Sequence, residues 1–160
     1  MARAKSKVKV FQTIPLYLEC EKALRKFFDS IDFCLEHCIK GDGTMEMFTE
    51  LLKGVGCCYG DRTIPQTFGE TNLNAQRVEK HGLGMMREGR CRYHTNSGCN
   101  LEDMKPPQCI SNACTYLQRY LESEFGIDYN AEFEEFGGAK DFLRNVLDGR
   151  VEPEDSGRFV

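Results

Sequence analysis

The cysteines constrain this chain more than any other feature of its sequence. Nine of them occur in 160 residues. The densest group, Cys91, Cys99, Cys109 and Cys114, has seven, nine and four residues between its successive members. Thiolates spaced so irregularly can fold back from loops and surround a soft cation. The sequence therefore predicts a fold that is organised around a metal centre.

A vicinal pair, Cys57-Cys58, lies upstream and follows Gly56. A disulfide between neighbouring residues would be strained, and a glycine lets backbone N–H groups approach a thiolate. We therefore expect at least one of the two thiolates to bind the metal.

The remaining cysteines lie on a predicted helix. Cys34 and Cys38 are four positions apart, so both thiols leave the same helix face, one turn apart. They are secondary candidates for metal ligands, and packing in the core explains them equally well. Cys20 is predicted to be a core residue.

Composition bears on the cellular location and the partners of this protein. Cysteine makes up about 5.6% of the chain, below the share of roughly 8–10% that is typical of disulfide scaffolds, and the count is odd. No secretory hydrophobic region and no apolar run of membrane-spanning length is found. We therefore expect a cytoplasmic protein with no membrane partner. The formal net charge of −4 argues against a nucleic-acid partner.

Apolar periodicity predicts a mainly α, single-domain protein over residues 1–150, with the metal centre in irregular loops and a flexible tail over 151–160. The cysteine-rich stretch 89–110 is predicted to be irregular. The predicted helices are Leu18–Ile39, Met45–Lys53, Asn74–Met86, Ser111–Phe125 and Asp141–Leu147.

Two kinds of metal centre suit the cysteines. Four thiolates can hold a [4Fe–4S] cluster or a tetrahedral Zn²⁺ ion. Zinc knuckles usually carry cysteine pairs two to four residues apart, so the wider gaps here favour iron and sulfide. Zinc remains an alternative, because Cys91 and His94 have Cys-x-x-His spacing and would form a mixed site with Cys109 and Cys114.

The stretch from Cys91 to Cys109 resembles the second half of the YkgJ-type cysteine-cluster family, also described as a zinc- or iron-chelating CxxCxxCC domain. Lys105-Pro106 takes the place of the family's Arg-Pro, three residues before the last cysteine. Cys57-Cys58 matches the vicinal pair that ends the family's first motif.

The chain departs from that first motif at two positions. Gly54 and Leu51 stand where the family has cysteines three and six residues before the pair. Cys34 and Cys38 are the natural substitutes for the two missing ligands. The resemblance covers about 60 residues and implies metal binding without assigning a catalytic residue.

These observations predict an iron–sulfur protein that acts in electron transfer, in redox sensing or as an accessory to an enzyme. The ligands would be Cys57 or Cys58 with Cys91, Cys99 and Cys109, and Cys114 is the next candidate. The alternative is a structural zinc module that presents a helical surface to a protein partner. A third hypothesis is a transferase that uses the metal or an exposed thiolate. We find no Walker A, His-Glu-x-x-His or Gly-x-Ser-x-Gly motif, so the sequence leans against an enzyme.

Overall fold

The computed structural model describes residues 10–31 and 60–151. In order along the chain, its elements are α1 (Val10–Ile31), α2 (Phe68–His81), β1 (His94–Thr95), β2 (Gly98–Cys99), α3 (Pro107–Ile110), α4 (Thr115–Phe125), a 3₁₀ helix (Ala131–Phe136) and α5 (Ala139–Leu147). The prediction of a mainly helical protein is confirmed. The predicted helix Met45–Lys53, the cysteines Cys34, Cys38, Cys57 and Cys58, and positions 152–160 lie outside the described residues.

The first helix begins earlier than predicted, at Val10 instead of Leu18. Pro15 lies inside it and cannot donate the helical hydrogen bond that other residues make. The buried face compensates for that loss, because Ile14, Tyr17 and Leu24 recur at helical spacing in the core.

The second helix is also shifted from the prediction, Asn74–Met86, to Phe68–His81. The Thr67 hydroxyl accepts the Glu70 N–H at 3.2 Å and caps the helix at its start. Gly82, with φ of 77°, ends it, so the segment predicted to continue to Met86 leaves the helix. The prediction missed both the N-cap at Thr67 and the end of the helix at Gly82.

The stretch 89–110 is less irregular than predicted, because it contains the β1–β2 pair and the one-turn helix α3. Ser111 is the C-cap of α3 and not the predicted start of the next helix, whose N-cap position is occupied by Cys114 without a side-chain hydrogen bond. The 3₁₀ helix was not predicted.

Helix α5 lies at the centre of the core and contacts α1, α2, α3 and the 3₁₀ helix. It begins two residues before the predicted Asp141. Phe142, Leu143 and Val146 are completely buried because the i, i+1, i+4 spacing places them on one helix face. These side chains join the helices into one apolar cluster.

The start of α2 packs tightly against the end of α5. A Cβ atom at Gly69 would lie 2.6 Å from the backbone of Leu147, so only glycine allows this approach. The Gly69 N–H donates to Asp148 Oδ1 at 2.9 Å. One turn away, Arg144 Nε donates to Glu70 Oε1 at 2.7 Å in a largely buried ion pair. The two helices are therefore fixed by both close packing and charge.

No helix in the described ranges is both long enough and apolar enough to span a bilayer.

Candidate metal site

The cysteine hairpin, which we define as residues 91–99, contains two of the predicted ligands. The His94 N–H donates to the Cys91 carbonyl at 3.0 Å, which closes a turn between these residues. β1 then pairs with β2 in antiparallel register, with His94 opposite Cys99 and Thr95 opposite Gly98. Gly98 has φ of 103°, a conformation that favours glycine. The hairpin therefore sets His94 opposite Cys99, and a turn links His94 to Cys91.

The register places His94 and Cys99 on the same face of the hairpin. Directly opposed residues of an antiparallel pair have Cβ atoms about 4.5–5.5 Å apart. The Asn100 N–H donates to the Tyr93 carbonyl at 2.9 Å. Because hydrogen-bonded and non-hydrogen-bonded pairs alternate, His94 and Cys99 form the non-hydrogen-bonded pair, in which side chains come closest. An imidazole and a thiol are thus held as neighbours.

The side chain of His94 is unusual. Both ring nitrogens, Nδ1 and Nε2, are shielded from solvent and have no hydrogen-bond partner within the part of the chain that the structure describes. Burial lowers the pKa of His94, and the positive charge of Arg90 lowers it further. A buried polar group without a partner costs free energy. A ligand that bonds one of these ring nitrogens would reduce that cost.

Polar contacts to neighbouring segments hold the hairpin in place. Tyr93 is buried and donates its hydroxyl to the Gly82 carbonyl at 2.6 Å. Arg92 Nε donates to Asp61 Oδ2 at 2.8 Å. Burial of Asp61 would raise its pKa, but hydrogen bonds from Thr63 and Arg92 outweigh this effect and lower it. Asp61 therefore pairs with the hairpin, and its contacts fix the backbone beside the candidate ligands.

The described chain resumes directly beside the hairpin. Gly60 is two positions after Cys58 in the sequence, and Gly89 is two positions before Cys91. The Gly60 N–H donates to the Gly89 carbonyl at 2.6 Å. Gly60 adopts a positive φ of 80°, which glycine permits. This contact therefore joins Gly60, the first described residue after Cys58, to the segment that leads into the hairpin.

The other two predicted ligands of the dense group lie on different elements. Cys109 is exposed on α3, within electrostatic range of Tyr17 and Arg77. Cys114 is half buried, occupies the N-cap position of α4 and packs against the apolar cluster. Within the described ranges, no three side chains of His, Cys, Asp or Glu converge as a metal-binding group. The dense group is therefore divided among three places: Cys91 and Cys99 lie on the hairpin, Cys109 lies on α3, and Cys114 lies at the start of α4.

Cys20 belongs to the core, as predicted. It is buried in the apolar cluster. Burial raises the pKa of its thiol to about 11, and the negative charge of Glu19 contributes to this rise. Such a thiol stays protonated and unreactive at neutral pH.

A second polar cluster, which the sequence did not reveal, fixes the loop between the hairpin and α3. Glu21 accepts the N–H groups of Met104 and Lys105 at 2.8 and 2.9 Å. The Met104 carbonyl accepts Arg77 Nε at 2.5 Å, and the Lys105 carbonyl accepts the Tyr17 hydroxyl. We call this arrangement the loop clamp. It satisfies all four backbone groups of these two loop residues and supports Met104 at φ of 59°.

The clamp side chains are deeply buried. Glu21 and Arg77 are each only 2% exposed, and Tyr17 is completely buried. Burial raises the pKa of Glu21, although the two backbone donors act in the opposite direction. A signal was present in the sequence, because Tyr17 and Glu21 follow the spacing of the buried face of α1. The sequence could not identify their partners, which lie more than 80 positions away.

Comparisons of the chain with protein-family models, with curated proteins and with solved structures found no match. The resemblance to the YkgJ-type family and the expected protein partner therefore stay predictions.

Proposed function

We propose that this protein binds a metal centre through the cysteine hairpin, with Cys91, His94 and Cys99 as ligands. The observation that carries the proposal is the His94 ring, whose two nitrogens are buried and lack partners among the described residues. A metal ion would accept one of these lone pairs. The register that sets Cys99 opposite His94 supplies a thiolate on the same face.

Zn²⁺ is the occupant that suits these three residues best. Zinc binds cysteine thiolates and neutral imidazole in tetrahedral sites with four ligands. A rearrangement of side chains would be required, because the described residues do not form a converged group of three. The fourth ligand would be Cys57 or Cys58, which the sequence predicts to be cluster ligands; the zinc site predicted from the sequence was completed by Cys109 and Cys114 instead. The contact between Gly60 and Gly89 supports that assignment, since Gly60 is only two positions after Cys58 and Gly89 only two positions before Cys91.

A [4Fe–4S] cluster is the second candidate, and the cysteine spacing favours it. It would use Cys57 or Cys58 with Cys91, Cys99 and Cys109, and Cys114 is the next candidate. Such a cluster would serve in electron transfer, in redox sensing or as an accessory to an enzyme. It requires four thiolates, and it would leave His94 beside the cluster and not bound to it.

Anaerobic purification followed by metal analysis tests the proposal. A colourless protein with one zinc per chain supports the zinc site, whereas a brown protein with iron and acid-labile sulfide supports the cluster. A protein that retains neither metal, even after reconstitution with zinc or with iron and sulfide, would show that the proposal is wrong.

Three variants locate the centre. Cys99→Ser should abolish metal retention under both candidates, and Cys20→Ala is the matched control that should retain full metal content, because Cys20 lies in the core. His94→Gln separates the candidates, since it should abolish zinc binding and leave an all-thiolate cluster bound. Full metal retention by Cys99→Ser would rule out the hairpin as the site.

A further inference from the structure

A cavity of about 670 Å³ lies between α1 and the loop residues Glu102 and Asp103. Its volume is in the range of sites for small organic molecules, roughly 300–1,000 Å³. The wall from α1 runs from Leu18 to Ser30. It has no residue in common with the cysteine hairpin, so its role is independent of the proposed metal centre.

Three cations of α1 line the cavity: Lys22, Arg25 and Lys26. Their spacing of three and four positions places them on one side of the helix. Among the described residues, none of the three forms a salt bridge or a hydrogen bond. The Nε of Arg25 is shielded from solvent and has no hydrogen-bond partner there. A guanidinium donor without an acceptor is costly. In its present position this Nε is covered, so a ligand in the cavity would accept its N–H after the half-exposed Arg25 side chain turns toward the cavity.

The carboxylates that line the cavity do not accept a hydrogen bond from Arg25 Nε. The positive charge of Arg25 acts to lower the pKa of Glu21. Both carboxylate oxygens of Glu21, however, already accept backbone N–H groups of the loop clamp. Asp103 accepts Lys80 Nζ at 2.5 Å and pairs with His81 Nε2 at 2.7 Å. Asp29 and Glu102 also line the cavity and are exposed. Four carboxylates and three cations therefore line the cavity, but Glu21 and Asp103 are already engaged by other donors. The three cations and the carboxylates of Asp29 and Glu102 have no such contacts with the described residues.

We propose that this cavity binds a small organic ligand with an oxyanion head, a phosphate or a carboxylate, held by Arg25 with Lys22 and Lys26. The guanidinium group offers adjacent N–H donors whose planar arrangement matches two oxygens of one head group. The cavity is larger than a bare inorganic anion requires, and Leu18 contributes an apolar surface. The ligand therefore carries a carbon body beside its charged head.

Titration of the full chain as purified, with phenyl phosphate as the probe, tests this inference. Inorganic phosphate has the same head without the carbon body, and phenol has the body without the charge. Phenyl phosphate should bind more tightly than either compound. In ¹⁵N NMR spectra, the Nε–H signal of Arg25 should move during the titration.

Arg25→Gln should weaken phenyl phosphate binding about tenfold or more, the effect of losing a charge-assisted hydrogen bond. Lys26→Gln, at an exposed position, should weaken it by a smaller factor without affecting the fold. Arg119→Gln is the matched control, because Arg119 is an exposed arginine on α4 and does not line the cavity. Equal affinity of the Arg25 and Arg119 variants, or an unmoved Arg25 signal, would overturn the proposal. If Arg25→Gln does not fold, the NMR titration and the Lys26 variant decide.

Discussion

Around α5 the structure is held by apolar burial, whereas the cysteine hairpin is held by individual polar contacts. Phe142, Leu143 and Val146 are fully inaccessible to solvent. In the hairpin, the Tyr93 hydroxyl and the Arg92 guanidinium fix the backbone through hydrogen bonds to Gly82 and Asp61. Apolar burial is insensitive to small changes in direction, but a hydrogen bond depends on the positions of both partners. The first region therefore maintains the fold, and the second holds particular side chains in particular places.

Of the substitutions that compare the two regions, Phe142→Ala should lower the free energy of unfolding the most. It removes a completely buried ring from the apolar cluster and should lower the free energy of unfolding by about 3–5 kcal/mol. Tyr93→Phe, which removes only one hydroxyl donor from the hairpin support, should cost about 1 kcal/mol. Urea denaturation of both variants measures the difference. Equal losses would show that the hairpin support is as important for stability as the core.

Gly69→Ala tests the tight contact between α2 and α5. The new methyl group would lie 2.6 Å from the Leu147 backbone, which cannot rotate away, so the free energy of unfolding should fall by about 1–3 kcal/mol. Gly98→Ala in the hairpin meets no atom within 4 Å and should be destabilising only through its backbone conformation. Thermal unfolding compares the two, and an unchanged melting temperature for Gly69→Ala would contradict the packing described here.

Cysteine-to-serine substitutions compare one residue type in the two regions. Cys20→Ser places a hydroxyl in the apolar cluster and should cost about 1–3 kcal/mol in the metal-free protein. Cys99→Ser changes an exposed side chain and should alter metal-free stability by less than about 0.5 kcal/mol. Chemical denaturation in the presence of a chelator makes this measurement. A large loss for Cys99→Ser without metal would assign that thiol a packing role.

Asp103→Asn should have a small effect, and one that depends on pH. Burial alone would raise the pKa of Asp103, but hydrogen bonds from Lys80 and His81 outweigh it, and the pKa is lowered. A carboxyl with a lowered pKa in the folded state stabilises the protein above its unfolded pKa, and this contribution disappears as the pH falls. Because the site is partly exposed, the variant should lose about 0.5–1 kcal/mol near neutral pH.

As the pH falls through the unfolded pKa of about 4 and then through the lower folded pKa, the stabilities of wild type and Asp103→Asn should converge, because the carboxyl becomes protonated in both the folded and the unfolded state. Denaturation curves at several pH values test this expectation. A stability gap that stays constant from neutral to acidic pH would show that the charge of Asp103 does not contribute.

Helical periodicity was sufficient to predict the helical class and the approximate position of most described helices. It failed at boundaries, where single contacts decide. The Thr67 cap starts α2 before the predicted Asn74, and the positive φ of Gly82 ends it. Likewise, Pro106 precedes a separate one-turn helix, so that Ser111 closes one helix instead of opening the next.

The candidate site was predictable in part. The spacing selected Cys91 and Cys99 as cluster ligands and Cys91 with His94 as zinc ligands, but it did not group His94 with Cys99. The structure places all three residues on one hairpin. The separation of Cys109 and Cys114 from that hairpin could not be predicted, because it depends on the path of the intervening loop. That path is fixed by Glu21 and other side chains far away in the sequence.

The loop clamp has a consequence for how this protein opens. Met104 and Lys105 lie in a connecting segment, yet their amide protons are bound by a buried carboxylate of α1. Exchange of these protons with solvent deuterium requires α1 to separate from the loop, so they should exchange at rates typical of core helices. The loop that leads from the hairpin to Cys109 therefore belongs to the same cooperative unit as the first helix.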